Sequence, residues 1–269
     1  MRINKVLICF IGILIITFSI SQTSAAENTD IFNNILVQTN AITTEIGINA
    51  DYEISTGGIE ESKNWLKSLN LYDEKTIDKT RTSNNYGYLD LLKTASDVNV
   101  KKQITQSKNN TITLENCITI NKDKVYCREF QKGNIYGYIE SRENGNGSKI
   151  SIFMRELLPK ENVNDIEAKV KNAIGKKAID INIYKYLKAK TSIKSAKLIQ
   201  NRTTEYLKDI GTENISTVNI NEGYSTVAYT KKFMKISDNG KYEDFNYAVL
   251  NQSDQNYIIL GTPIIDISY

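Results

Sequence analysis

At 269 residues, with 34 Lys+Arg against 31 Asp+Glu and no histidine, the chain is long enough to bury a substantial core and is nearly balanced in charge. The missing histidine excludes Ser/His and Cys/His nucleophile pairs, histidine metal ligands and a histidine pH switch. Nucleic acid is not an expected partner, because binding it calls for a concentrated basic face and here lysine alternates with Asp and Glu throughout.

Residues 1–26 read as a secretory signal peptide. Arg2 and Lys5 precede an apolar stretch from Val6 to Ile20, and no acid occurs before Glu27. At about fifteen residues that stretch matches a signal h-region and falls short of the roughly twenty of a spanning helix. Ser24-Ala25-Ala26 supplies small residues for a cut before Glu27; an uncleaved anchor is the alternative. Without Arg2 and Lys5 the 34 basic residues fall by two, to one more than the 31 acids. The expected location is therefore secreted or extracytoplasmic, at the cell envelope, with membrane contact only through an uncleaved leader.

Residues 28–42 place Ile31, Ile35, Leu36, Thr39 and Ile42 on one helical face behind Thr29 and Asp30, which predicts a helix. From Glu45 to Ile54 the period changes to strict alternation. Ile46, Ile48, Ala50, Tyr52 and Ile54 interleave with Glu45, Gly47, Asn49, Asp51 and Glu53, as in a strand with one buried face. Gly57-Gly58 breaks it. A helix over Ile59–Leu71 follows, with Glu60 and Glu61 in its first turn, Ile59, Leu66 and Leu69 as its stripe, and Trp65 flanking that stripe as a packing residue.

Residues 72–110 carry a weaker pattern and are read as an insertion, with a short helix at Tyr86–Ala95 and a strand at Val98–Thr105 as its candidate elements. Four strands then form a meander: Thr111–Ile120, Lys124–Phe130, Ile135–Ser141 and Lys149–Leu157. Asn162–Ile174 is a predicted helix with Val163, Ile166, Val170 and Ala173 on one face, Asp165/Lys169 and Glu167/Lys171 paired, and Gly175 as its stop.

The order then restarts. Ala178–Ala189 alternates through Ile179, Ile181 and Ile183. Thr191 and Ser192 are positioned to cap a helix striped by Ile193, Ala196, Ile199, Thr203, Tyr206, Leu207 and Ile210. Strands at Ile215–Ile220, Tyr224–Lys235, Tyr242–Asn251 and Tyr257–Tyr269 complete the chain, with turns at Asp238-Asn239-Gly240 and Ser253-Asp254-Gln255. The reading is α+β, in two lobes after the leader: residues 27–175, with the N-terminal helix and the 72–110 insertion, and residues 176–269.

A strand, a helix and four strands, occurring twice, resemble two half-saddles of the TATA-box-binding-protein fold. The Gly223-Tyr224-Ser225 run, the closing Leu260-Gly261-Thr262-Pro263-Ile264-Ile265 and the terminal Tyr269 also resemble the YwmB-like family of exported Firmicute proteins. That resemblance implies a curved antiparallel sheet with helices on one face and a role at the cell wall or in sporulation. It brings no assigned reaction, cofactor or catalytic residue. DNA binding does not follow from the fold name, since minor-groove saddles are basic and wedge base steps apart.

Three constellations bear on chemistry. A three-residue loop at Asn121–Asp123 would set Cys117 opposite Cys127, either as a cross-strand disulfide of an exported protein or as two free thiols. With Ile135, Ile139 and Ile179–Ile183 turned toward the helices, Tyr136, Tyr138, Tyr184 and Tyr186 fall on the helix-free surface. There they either stack on a glycan or peptide or simply follow the preference of tyrosine for exposed sheet faces. Asp51/Glu53 is the acid pair without a helix-end or ion-pair explanation. The expected function is an envelope-associated binding or accessory protein without catalytic, metal or cofactor residues, its partner an envelope protein, glycan or peptide. A carboxylate-dependent hydrolase of wall glycan or peptide is the alternative.

Overall fold

The computed structural model of the chain describes residues 30–55, 57–71, 101–106, 111–120, 123–143, 147–252 and 255–265, with backbone alone over 101–124. The leader at 1–26, the helix expected at Tyr86–Ala95 and most of the 72–110 insertion lie outside those residues. Among the described residues no helix is long and apolar enough to cross a membrane.

The chain is α+β, built on a mostly antiparallel sheet. Asp30 caps α1 (Ile31–Gln38) by accepting from the Asn33 amide at 3.1 Å. This helix is shorter than the 28–42 expected. The Thr39 hydroxyl donates to the Ile35 carbonyl at 2.7 Å, Asn40 takes a positive φ of 46°, and the β-branched run Ile42-Thr43-Thr44 already belongs to β1 (Ala41–Ile54). Ile42, expected on the buried helix stripe, is exposed on that strand. In α2 (Gly58–Ser68), Trp65 and Leu66 are completely buried, the tryptophan packing in the core as expected.

The meander runs through β2 (Lys101–Gln106), β3 (Thr111–Ile120), β4 (Asp123–Lys132), β5 (Ile135–Glu143) and β6 (Ser148–Leu157). Asn162 caps α3 (Val163–Ala173), which buries Val163, Ile166 and Val170. Lys171 pairs with Glu167 as expected, but Lys169 turns to Glu161 at 2.5 Å instead of Asp165. After β7 (Ile179–Thr191) the capping residue is Ser195, three residues beyond the pair expected, and it starts α4 (Ala196–Asp209). The rest is β8 (Glu213–Ile220), β9 (Gly223–Tyr229), a small hairpin of β10 (Ile236–Asp238) and β11 (Lys241–Glu243), β12 (Phe245–Gln252) and β13 (Gln255–Thr262). Asn239 and Gly240, at φ 48° and 78°, form the hairpin turn.

One sheet of eleven strands runs in the order β2-β3-β4-β5-β6-β1-β7-β13-β12-β9-β8. Strands β1 and β7 lie antiparallel at its middle, each flanked on its other side by the last strand of the meander that follows it, β6 and β13. The β1–β7 register shifts between Thr43 and Glu45 and again between Asp51 and Glu53. Ile46, Ile48, Ala50, Tyr52 and Ile54 of β1 share a core with Ile35 of α1, Trp65 of α2, Val170 of α3 and Leu207 of α4. All four helices among the described residues therefore cover the same face.

Two of the buried charged groups, Lys185 and Asp244, are fully served by partners nearby. Lys185, 6% exposed, donates to Glu167 at 2.5 Å and Asn164 at 2.7 Å and lies over the rings of Phe32 and Phe233. Asp244, 0% exposed, accepts from the Thr230 amide and hydroxyl and from the amides of Lys232 and Phe233, at 2.5–3.2 Å. It ties down the 230–235 loop, so that Phe233 stacks on Phe245 with ring centroids 6.1 Å apart. This loop replaces the second half of the strand expected over Tyr224–Lys235.

Candidate functional site

The other face of the sheet carries no helix among the described residues, and the four tyrosines singled out from the sequence all lie on it. Strand alternation puts them there, because Ile139, Ile152, Ile48 and Leu187 of the same strands face the helices. The ladder then sorts them into two adjacent rows. Tyr136 of β5 pairs with Arg155 of β6, Arg155 with Gly47 of β1, and Gly47 with Tyr186 of β7. Two residues along the strands, Tyr138 pairs with Phe153, Phe153 with Asn49, and Asn49 with Tyr184. Four strands and two rows make a patch of about 14 Å by about 7 Å.

Gly47 is the hinge of this arrangement. A β-carbon there would stand 1.9 Å from the Tyr186 ring, so the ring lies directly across the glycine. The Tyr186 hydroxyl donates to Glu45 at 2.5 Å. Burial, helped by that hydrogen bond to a carboxylate, pushes the Tyr186 phenol far above its ordinary pKa, so it stays a neutral donor. Arg155 stacks its guanidinium 4.6 Å from the Phe153 ring centroid and 5.9 Å from that of Tyr186, and its Nε is 3.8 Å from Glu45. Burial works against the Arg155 charge, but Tyr186, Tyr136 and Glu45 outweigh it and raise its pKa. Tyr138 and Phe153 stack at 5.4 Å with a 17° tilt.

The next row is polar. Glu140, Ser151, Asp51 and Asn182 follow one another across the same four strands. Ser151 donates to Asp51 at 2.5 Å, and Arg142 pairs with Glu140 at 3.3 Å. Burial raises the Glu140 pKa, with Arg142 opposing it. Asp51 and Glu53, the acids of the hydrolase alternative, stand on this sheet face, and Glu53 is exposed. A separate hollow at the start of α4 is lined by Asn219, Asn221, Glu222, Tyr224 and Asn251 and contains neither acid. Among the described residues no group of three or more His, Cys, Asp and Glu is placed to hold a metal ion.

The cysteine expectation needs correcting. The loop between β3 and β4 has two residues rather than three, so Ile120 pairs with Asp123 and the register moves by one. Cys117 is opposite Tyr126, and Cys127 is opposite Asn116, which sets the two cysteine positions on opposite faces of the ladder. Cys127 is a free thiol, fully buried, and burial with the nearby Glu129 raises its pKa far above the ordinary thiol value.

Sequence reasoning missed Arg155, Phe153, Glu45 and Gly47. A glycine inside an otherwise strict strand alternation was the available signal, since it marks close approach of another group. No protein-family model matches the chain, and no curated protein matches it.

Proposed function

We propose that the chain is an exported, envelope-associated binding protein that holds its ligand on the helix-free sheet face, with no reaction of its own. The observation that carries this reading is the convergence of Tyr136, Tyr138, Tyr184 and Tyr186 in two neighbouring rows around Phe153 and Arg155. Ordinary strand preference explains tyrosines on an exposed face, but not a guanidinium stacked on Phe153 and a ring laid across a glycine in their midst. Charged and aromatic side chains held this firmly form a recognition surface.

The proposal includes the architecture, two TATA-box-binding-protein-like half-repeats of the YwmB-like kind. Its support is the central β1–β7 pair, with each partner followed by a helix and a meander that closes on its own outer flank. Export rests on the leader composition. The hydrolase alternative draws less support, because Asp51 is engaged by Ser151 and Glu53 is in open solvent rather than in a cleft.

The test is a nuclear magnetic resonance titration of the labelled protein with purified envelope fragments. Shifts concentrated on β5, β6, β1 and β7, and lost when the four tyrosines are replaced by alanine in a variant that still folds, are the expected outcome. Shifts confined to the helices overturn it.

A further inference from the structure

We infer that the ligand of this face is an uncharged oligosaccharide rather than a peptide or an ionic polymer; this rests on the binding role proposed above and specifies its chemistry. Three features of the patch select the ligand class.

The first is position. The aromatic rows occupy β5, β6, β1 and β7, whereas the outermost strands among the described residues are β2 and β8. Every backbone donor and acceptor under the patch is committed to a neighbouring strand. An extended peptide gains its affinity chiefly by adding to a sheet edge, and that mode is unavailable here. Side chains alone must hold the ligand.

The second is charge. Arg155 faces Glu45 at 3.8 Å, and Glu45 also receives the Tyr186 hydroxyl. Arg142 pairs with Glu140, and Asp51 takes the Ser151 hydroxyl. Both ion pairs are compensated within the face, and Glu53 and Lys149 oppose each other across the ladder, so an anionic or cationic ligand would have to compete with an internal partner at these positions. A neutral ligand displaces none, and its binding is insensitive to salt.

The third is shape. The Tyr138 and Phe153 rings are stacked nearly parallel, above a floor where Tyr186, 2% exposed, lies across Gly47. The half-buried rings of Tyr136, Tyr138 and Tyr184 combine apolar surface with polar tips, matching a sugar ring that has an apolar C–H face and hydroxyls on its rim. Asn49, Asn182 and Ser151 sit in or beside the same rows to meet those hydroxyls.

The experiment is calorimetric titration of the full chain with four probes: neutral tetramers of N-acetylglucosamine and of glucose, an oligogalacturonate, and an uncharged extended peptide. The inference expects at least one neutral tetramer to bind, with affinity unchanged between low and high salt. It expects Tyr184→Ala to weaken that binding about three- to tenfold and Tyr184→Phe, which keeps the ring face, to restore most of it. Thermal unfolding of both variants controls for folding. Failure of both neutral tetramers, or preference for the oligogalacturonate or the peptide, overturns the saccharide assignment. If that preferred probe still depends on Tyr184, the binding role of the face survives. A neutral tetramer that binds equally well to Tyr184→Ala and to a Phe153→Ala variant overturns both.

Discussion

The two halves of the sheet, five meander strands beside β1 and four beside β7, finish their helix-free faces differently. In the first half, β5, β6 and β1 present Tyr136, Tyr138, Phe153, Arg155 and Glu45, half-buried and, Phe153 apart, polar at their tips. In the second half the same face is apolar. Ala248, Leu250 and Ile259 are at most 1% exposed and cluster with Tyr186, and Ile265, from the segment after β13, packs on them. One sheet thus carries a polar, aromatic face on one side and a closed apolar seam on the other. Tyr186 belongs to both, since it reaches Glu45 in one half and the apolar cluster in the other.

The strongest way to break the second half is at its buried carboxylate. Asp244→Ala leaves the amides of Thr230, Lys232 and Phe233 without their acceptor and frees Phe233 from Phe32 and Phe245. A loss of about 4 kcal/mol in urea-induced unfolding is expected, with the aromatic rows of the first half keeping their chemical shifts until global unfolding. An unfolding free energy within about 1 kcal/mol of the parent would show that this anchor is dispensable. Gly47→Val acts at the junction. The added side chain must expel the Tyr186 ring, and about 3 kcal/mol of stability should go with it, together with the raised phenol pKa read by ultraviolet titration. A Tyr186 that titrates as before would mean the ring does not lie where described. The mildest change is Ile265→Asp, which uncovers the apolar seam at a cost of about 1–2 kcal/mol. It should raise binding of a hydrophobic dye without altering ligand affinity; an affinity change would show that the two faces are not independent.

Much of this was legible in the sequence where alternation is strict. The period from Glu45 to Ile54 gave both the strand and its two faces, and the same reasoning on β5 and β7 placed the four tyrosines correctly. Where a single loop residue decides, it failed. Two residues instead of three between β3 and β4 reversed the expected facing of Cys117 and Cys127, because strand register has a period of two. Long-range partners were also out of reach. Nothing local tells that Arg155 will stack on Phe153 beside a ring delivered by β7, or that Asp244 will interrupt a strand pattern to gather three amides and a hydroxyl. Helix ends moved for the same reason, as β-branched residues after Asn40 found sheet partners that propensity does not foresee.

The two irregularities in the β1–β7 ladder, at Thr43/Glu45 and Asp51/Glu53, enclose the stretch on which both aromatic rows depend. A sheet joined at its centre by two long strands could slide, and one residue of sliding would send Tyr184 and Tyr186 under the helices and Lys185 out to solvent. An extra residue at each end acts as a wedge against that movement, so the seam between the halves is keyed to a single alignment. Deleting Thr44 would remove one key, turning a stability question into a question of which side of the sheet the tyrosines occupy.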